Sequence, residues 1–456
     1  MSPYIFNGLP AGIKSGPAEF SQVFVVLFSY IAGFLVSVAI SIERNIEPKP
    51  FRIYIFVCCL MVFLANFGPN PWVDDDIYRY LWDGYQNYKG NSPLTSLPLH
   101  PAEGFPEALR EKISYSDTGS IYPPLAQWFF QFLWTLFGSS LQMWTMSFSL
   151  VTVSAIVLLV MLARKNRCPE RLSVFMIFQP IFVKEFGDSA HLDIVALIPL
   201  VIAINISLEL KEDRRLASPK LMLIGILIGL GSSVKLFPIL FVPFLPIQSL
   251  LAKLFVGLTA LICVIVISYL YYEDIENVKY AFLLLDYFRN YWIFHPGFTD
   301  LIRQVYIFFT NDNLGHQSWW YAIKIGHYIT GFIYITLAVT AQIYKKKSQL
   351  IGLWAIGLYV AGQSTVNMWY LVWLWPIILS VNWAEVRVFY TIPWLTLPLP
   401  VSFGYIFWIA NKDIAFIRVG SWLLWFAFTI IPCTVFHFKI KRAKPHLENE
   451  ALVQSQ

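Results

Sequence analysis

Four carboxylates fall within ten residues in Asp74-Asp75-Asp76-Ile77-Tyr78-Arg79-Tyr80-Leu81-Trp82-Asp83. Three adjacent carboxylates repel one another, and such a cost persists where a cation, a cationic partner or a proton transfer uses it. A helix beginning at Asp76 would carry Arg79 and Asp83 three and seven residues on, so all three would share one face. The plainer reading is an acidic N-cap and first turn favoured by the helix dipole. A cap needs only one Asp, however, and four carboxylates are present. If the cost is kept for a proton transfer, rather than for a cation or a cationic partner, the expectation is that Asp75 acts as a general base, with Asp76 as its nearest substitute and Arg79 and Asp83 in support. Asp74 and Asp76 also form an Asp-x-Asp pair whose oxygens could hold Mg²⁺ or Mn²⁺. Such a cation wants about six oxygen ligands, so the metal stays unassigned.

Other chemistry-bearing residues are scattered along the chain. Lys235 follows Gly231-Ser232-Ser233-Val234 and precedes Leu236-Phe237-Pro238, a tight turn where a lysine could hold a phosphate or merely snorkel from a helix end. Another polar turn holds Lys184, Glu185, Asp188, His191 and Asp193, in which His191 could bond a carboxylate or a phosphate, or be structural. Trp369, Tyr370, Trp373 and Trp375 follow Asn367, as a membrane-interface belt or a surface on which a sugar ring stacks. Arg289, His295 and Arg303 lie among Trp292, Phe294 and Phe298, suited to an anionic head group or to the polar side of an interfacial helix.

The elements that must position these residues are membrane helices. The 456 residues are 57% hydrophobic and only 13% charged, about half the charged share of a soluble domain. Uncharged runs such as 138–163 and 254–272 are long enough to cross a bilayer. The expected fold is an all-α, polytopic bundle of about 13 spans, near 20–42, 53–68, 140–163, 172–187, 191–209, 221–233, 235–248, 254–272, 320–344, 349–366, 368–383, 388–409 and 415–437. It forms one domain over 1–444, with a disordered cytoplasmic tail over 445–456. The first run is too long for a signal-peptide core and reads as a retained helix. Five cysteines without paired spacing argue against a disulfide framework or a zinc site. With the N-terminus outside, the inner loops hold 20 of the 33 basic residues, as the positive-inside rule requires. Segments 68–139 and 273–319 then become large extracytoplasmic loops. The first is acidic, with eight carboxylates against four basic residues, and Tyr122 to Phe137 reads as an interfacial helix. Runs 172–183, 194–208 and 221–234 are too short to cross unaided, which leaves a cavity. The basic residues sit in clusters between apolar runs, so no nucleic-acid partner is implied.

Taken in order, Asp-Asp-Ile-Tyr-Arg-Tyr-Leu-Trp-Asp-Gly at 75–84, Ile-Tyr-Pro-Pro-Leu-Ala-Gln at 121–127, His-Leu-Asp at 191–193, Lys-Leu-Phe-Pro at 235–238 and Trp-Tyr-Leu-Val-Trp at 369–373 carry a family likeness. From about residue 70 to 385 the chain resembles bacterial GT-C glycosyltransferases, most of all the polyprenyl-phosphomannose-dependent mannosyltransferases. The first two motifs are specific; the last three are common in membrane proteins. The resemblance implies a large first extracytoplasmic loop whose Asp is the base, a donor lipid in a groove between helices, and an inverting displacement. It matches Asp75 and Asp76 to the acidic pair, Arg79 and Asp83 to their helical neighbours, and Tyr122 and Pro123 to the second loop motif. Tyr85, Ser92-Pro93-Leu94 and Ile293-Phe294-His295-Pro296 depart from the family pattern, which bears on the sugar and acceptor.

The expected activity is transfer of a hexose, most of all mannose, from a polyprenyl-phosphate donor to the hydroxyl of a glycan, lipid or protein acceptor. The expected setting is the extracytoplasmic face of a bacterial inner membrane. Lys235, His191, Asp193, Tyr122, Arg289, Trp369 and Tyr370 are the expected donor contacts. A Gly-rich nucleotide loop is missing, which argues against a nucleotide-sugar donor. The rival class is a secondary transporter or lipid flippase, but transporters place ionisable residues near the bilayer midplane, at the junction of internal repeats.

Overall fold

The structure is a computed structural model that describes residues 48–64, 75–168, 181–210, 218–291, 297–310 and 316–381, with scattered positions over 383–427. The expected spans near 20–42, 388–409 and 415–437, in whole or large part, lie outside the described residues. So do Asp74, His295 and the tail at 445–456.

Among the described residues the regular elements are all helical, with a single turn at Glu107–Arg110 and twelve longer helices. In chain order they are α1 (Pro48–Leu64), α2 (Asp76–Tyr88), α3 (Pro124–Phe137), α4 (Leu141–Lys165), α5 (Asp193–Ser207), α6 (Pro219–Val234), α7 (Leu250–Tyr272), α8 (Ile275–Tyr291), α9 (Gly297–Thr310), α10 (His316–Ile343), α11 (Ser348–Ala361) and α12 (Leu374–Ser380). Between them lie a π-helical segment at Phe182–Asp188 and 3₁₀ segments at Phe237–Phe244 and Met368–Trp373. Among the described residues four helices are long and apolar enough to cross a membrane: Leu141–Lys165, Asp193–Leu210, Leu250–Tyr272 and Ser318–Ile343. Shorter apolar helices are Ile55–Leu64, Pro219–Val234 and Met368–Ser380. The segment read from the sequence as a span over 235–248 is instead the short 3₁₀ stretch. Pro238 and Pro243 each remove a backbone donor that a regular α-helix would need.

Helix contacts divide the bundle into two ends. Lys165 Nζ reaches the Asn205 carbonyl at 2.8 Å and Glu209 Oε1 at 2.7 Å, and Lys220 Nζ reaches Glu209 Oε2 at 3.4 Å. The C-terminal ends of α4 and α5 therefore meet the start of α6. The chain rises through α6 to Lys235, and α7 ends where Tyr271 Oη donates to Asn87 Oδ1 at 2.7 Å on α2. Lys253 near the start of α7 and Gln342 near the end of α10 both donate to the Pro243 carbonyl. One end thus gathers Lys165, Lys220, Lys253 and the Lys345–Lys347 turn, and the other gathers α2, Asp193 and Lys235.

Small residues let two helices close on each other. A Cβ on Gly225 would sit 2.6 Å from the Thr259 Cβ, and one on Gly229 would sit 2.5 Å from the Cys263 Cβ. The four-residue glycine spacing gives α6 one flat stripe against α7, the arrangement by which backbones approach closely in lipid.

Above α4, α2 packs crosswise on α3 through Tyr80, which stacks on Phe130 with ring centroids 4.6 Å apart. Trp82, Phe130, Trp144 and Phe148 are fully enclosed there. Each such ring withdraws about 150–250 Å² from solvent, so the acidic segment rests on a rigid aromatic floor. The helix expected from Tyr122 to Phe137 is present as α3, starting after Pro123 at Pro124, a residue preformed for a first helical turn.

Candidate functional site

The acidic segment opens α2 where its spacing suggests. Asp75 occupies the N-cap position and Asp76 the first helical position. The Asp75 side chain makes no capping bond; its Oδ2 accepts instead from Ser114 Oγ, on the loop before α3. A simple cap therefore does not account for it.

Arg79 and Asp83 pair with each other, Nε to Oδ1, at 3.1 Å, with both side chains buried. Arg79 also donates to the Thr118 carbonyl at 2.9 Å, while Asp83 Oδ2 accepts from Ser120 Oγ and from Gln127 Nε2 at 3.1 Å. Burial pushes the Asp83 carboxyl above the ordinary carboxylate range, opposed by Arg79 and the Ser120 and Gln127 hydrogen bonds. The expected support residues thus tie α2 to the loop and to α3, and the Arg79 head group lies on Asp83 rather than bridging Asp75 and Asp76. Four positions apart on a helix, Arg79 and Asp83 are the natural partners.

Asp76 faces a different neighbourhood. Its side chain is 35% exposed, and its Oδ2 lies 3.3 Å from His191 Nδ1. Tyr80 Oη donates to the same oxygen at 3.4 Å, and Tyr122 packs edge-on to Tyr80 at 5.1 Å. The other nitrogen of His191, Nε2, lies 3.2 Å from Glu185 Oε2, and the Glu185 and His191 side chains are fully or almost fully enclosed. Both contacts are at ion-pair distance. Lys184 Nζ stands 3.9 Å from both Glu185 Oε2 and Asp188 Oδ2.

Local backbone explains how an acid and an imidazole meet here. Phe182–Asp188 is a π-helical turn, a widened form that clusters at functional sites. Ala190 follows with φ of +57°, a left-handed conformation that disfavours a residue with a Cβ. The His191 amide then donates to the Glu185 carbonyl at 3.0 Å. Gly187 within the turn lies against α1, where a Cβ would come 3.0 Å from the Val62 carbonyl oxygen.

The remaining cation is anchored beside this group. Lys235, at the C-cap of α6, places Nζ 2.5 Å from Asp193 Oδ2 and 4.9 Å from the centre of the Tyr370 ring, and its side chain is 29% exposed. Asp193 is held on its other oxygen by Trp373 Nε1 at 2.7 Å. Trp369 lies flat against His191. The charge of Asp76 reaches both Lys235 and Tyr370. Asp75, Asp76, Tyr122, His191, Asp193, Lys235, Trp369 and Tyr370 therefore form one neighbourhood.

Arg289 and Arg303 have other contacts. The Arg289 carbonyl accepts from Ser364 Oγ, and Arg303 donates to Ser318 Oγ at 3.0 Å with its guanidinium 4.5 Å from the Trp319 ring. Among the described residues no group of three or more His, Cys, Asp or Glu side chains is arranged to hold a metal ion. Glu185, Ser114 and Tyr80 are contacts that the sequence does not single out. Glu185 is legible there only as one polar residue of the 184–193 turn.

Residues 27–250 match the family profile of the alpha-(1->6)-mannopyranosyltransferase N-terminal domain, MptA_B family. The match supports a mannosyltransferase of the GT-C type, the class that the sequence motifs resemble. Together with the apolar helices, the match supports a membrane glycosyltransferase. No curated protein and no solved structure matches the chain.

Proposed function

We propose that the protein transfers mannose, with inversion, from a polyprenyl-phosphate-linked donor to an acceptor hydroxyl on the extracytoplasmic face. The observation that carries this reading is a part-exposed carboxylate and a part-exposed lysine, linked through His191, Trp369 and Tyr370, at one end of a bundle whose sequence matches a mannosyltransferase domain. Glycosyl transfer needs both charges: a base to take the acceptor proton and a cation to meet the departing phosphate.

In the proposed reaction the acceptor oxygen attacks the anomeric carbon as the bond from that carbon to the phosphate oxygen breaks. The hydroxyl proton passes to Asp76, and the polyprenyl phosphate leaves with the bonding electron pair toward Lys235. Sequence spacing alone favours Asp75. The His191 contact favours a reading one residue on, with Asp75 held by Ser114 as its neighbour. Asp193 and Trp373 fix the lysine, and Tyr370 covers it. The basic end, with Lys165, Lys220, Lys253 and Lys345–Lys347, is assigned to the cytoplasm by the positive-inside rule.

The deciding experiment supplies purified protein in nanodiscs with radiolabelled polyprenyl-phosphomannose and a short mannoside acceptor. Labelled, elongated acceptor is expected. Donor that stays intact, or label that crosses the bilayer without transfer, would favour a transporter or flippase.

A further inference from the structure

We propose that Glu185 and His191 are positioning residues for the transfer, a buried acid and an imidazole that together fix how Asp76 presents its carboxylate to the acceptor. This rests on the reading of Asp76 as base.

The geometry points to the pair from several sides. Glu185 is enclosed with no exposed surface, and burying a carboxylate is costly unless a partner repays it. Its Oε2 faces His191 Nε2 at 3.2 Å and Lys184 Nζ at 3.9 Å. The imidazole is clamped on its face by Trp369, at 3.5 Å between ring centroids, and through its backbone amide by the Glu185 carbonyl. With the ring plane and the backbone amide fixed, Nδ1 lies 3.3 Å from Asp76 Oδ2. The backbone bears a cost for this, in the widened turn at Phe182–Asp188 and the left-handed Ala190. Strain of that kind is kept where the surroundings over-determine it. A neutral imidazole carries a single N–H, so holding a carboxylate at each nitrogen takes the ring protonated at both, a form that the flanking Glu185 and Asp76 charges favour.

The step that this arrangement serves is balanced as written above. The acceptor O–H bond breaks toward Asp76, the new bond to the anomeric carbon forms, and the phosphate departs with its electron pair. Glu185 and His191 touch neither sugar nor phosphate in it. Their part is to hold one oxygen of Asp76, together with the Tyr80 hydroxyl, so that the carboxylate meets the acceptor in one orientation.

The experiment measures mannose transfer from polyprenyl-phosphomannose by full-length Glu185→Gln, Glu185→Asp, His191→Gln and Asp76→Asn proteins in nanodiscs. For Glu185→Gln and His191→Gln, kcat is expected to fall about 10-fold or more, with donor KM within about twofold of the parent, because Lys235 keeps its ion pair with Asp193 and its place beside Tyr370. Glu185→Asp keeps the charge and is expected to recover part of kcat. Parental kcat in Glu185→Gln and His191→Gln, beside an inactive Asp76→Asn, would overturn the positioning role and leave the base standing. An active Asp76→Asn would overturn the base itself. If Glu185→Gln does not accumulate in membranes, His191→Gln and Glu185→Asp carry the same decision. A rise in donor KM with unchanged kcat in either also overturns the proposal, because it would mean that the pair binds donor.

Discussion

His191 lies face to face with Trp369, the two rings 3.5 Å apart between centroids and 19° from parallel. An indole face covered in this way is withdrawn from stacking on a sugar. Trp369 thus stands closer to the acid–base group than to an interface belt, and Tyr370, beside Lys235, is the aromatic residue next to the cation. The neighbouring Trp373 is turned inward to Asp193.

Replacing Asp76 by Asn should cut turnover by about 10²–10⁴-fold while labelled donor still binds, as expected for loss of a general base. Asp75→Asn should cost less, since its carboxylate is engaged by Ser114 beside the helix start. Initial rates of label transfer, normalised to folded protein, check both. The reverse ranking would return the role to Asp75.

Lys235→Ala should raise the donor KM more than it lowers kcat, and Lys235→Arg should keep part of the donor affinity, as one cation standing in for another. The alanine also leaves Asp193 buried against Trp373 without its counter-charge, so expression should fall. The double change Lys235→Ala with Asp193→Asn should restore expression and not donor use. Restored donor affinity in the double variant would mean that Lys235 serves only its ion pair.

Arg79 and Asp83 are expected to act on stability. Removing Arg79 strands a buried carboxylate, a change that costs about 3–5 kcal/mol. Burial already pushes the Asp83 carboxyl upward, so Asp83→Asn, which keeps the shape and an acceptor for Ser120, should be the milder change. Thermal unfolding followed by detergent-resistant size-exclusion yield separates the two. Equal losses would show that the charge of Asp83 matters more than its shape.

Gly84→Ala should weaken the seat of α2. An added Cβ would lie 2.5 Å from the Phe130 carbonyl oxygen, a backbone atom that cannot swing aside. Overpacking of this kind costs about 1–3 kcal/mol, which should appear as a lowered melting temperature with part of the activity kept in the folded fraction. An unchanged melting temperature would show that α2 and α3 can separate without penalty.

Sidedness is open to direct labelling. In a protein with its five native cysteines replaced, Asp117→Cys, on the exposed loop before α3, should react with a membrane-impermeant maleimide from outside. Lys346→Cys, exposed at the opposite end of the bundle, should react only after permeabilisation. The opposite pattern would place the acidic end in the cytoplasm and remove the polyprenyl donor from the proposal.

Local features were the legible ones. The start of α2 at Asp76, the shared face of Arg79 and Asp83, and the proline-led helix before Phe137 all follow from spacing and capping chemistry. The partners of Asp76 were hidden, because His191 and Glu185 approach it through a fold-back that no short-range pattern encodes. Nor does periodicity distinguish an α-helical span from the π and 3₁₀ segments around the site. An apolar run reads the same in all three, and only the prolines at 238 and 243 hinted at the difference. Trp369 to Trp373 looked like an interface belt for the same reason: aromatic composition does not reveal which way a ring faces.

The match to a mannosyltransferase domain ends at residue 250, after Asp76, Glu185, His191, Asp193 and Lys235, whereas the rings packed on them, Trp369, Tyr370 and Trp373, belong to the later half. Charge and cover are therefore inherited from different stretches of the chain. Grafting the later half of a distant homologue onto the first 250 residues would keep the acid, the imidazole and the lysine while exchanging the roof above them. In such chimeras donor use should change, since the exchanged rings are those that hold and cover Lys235.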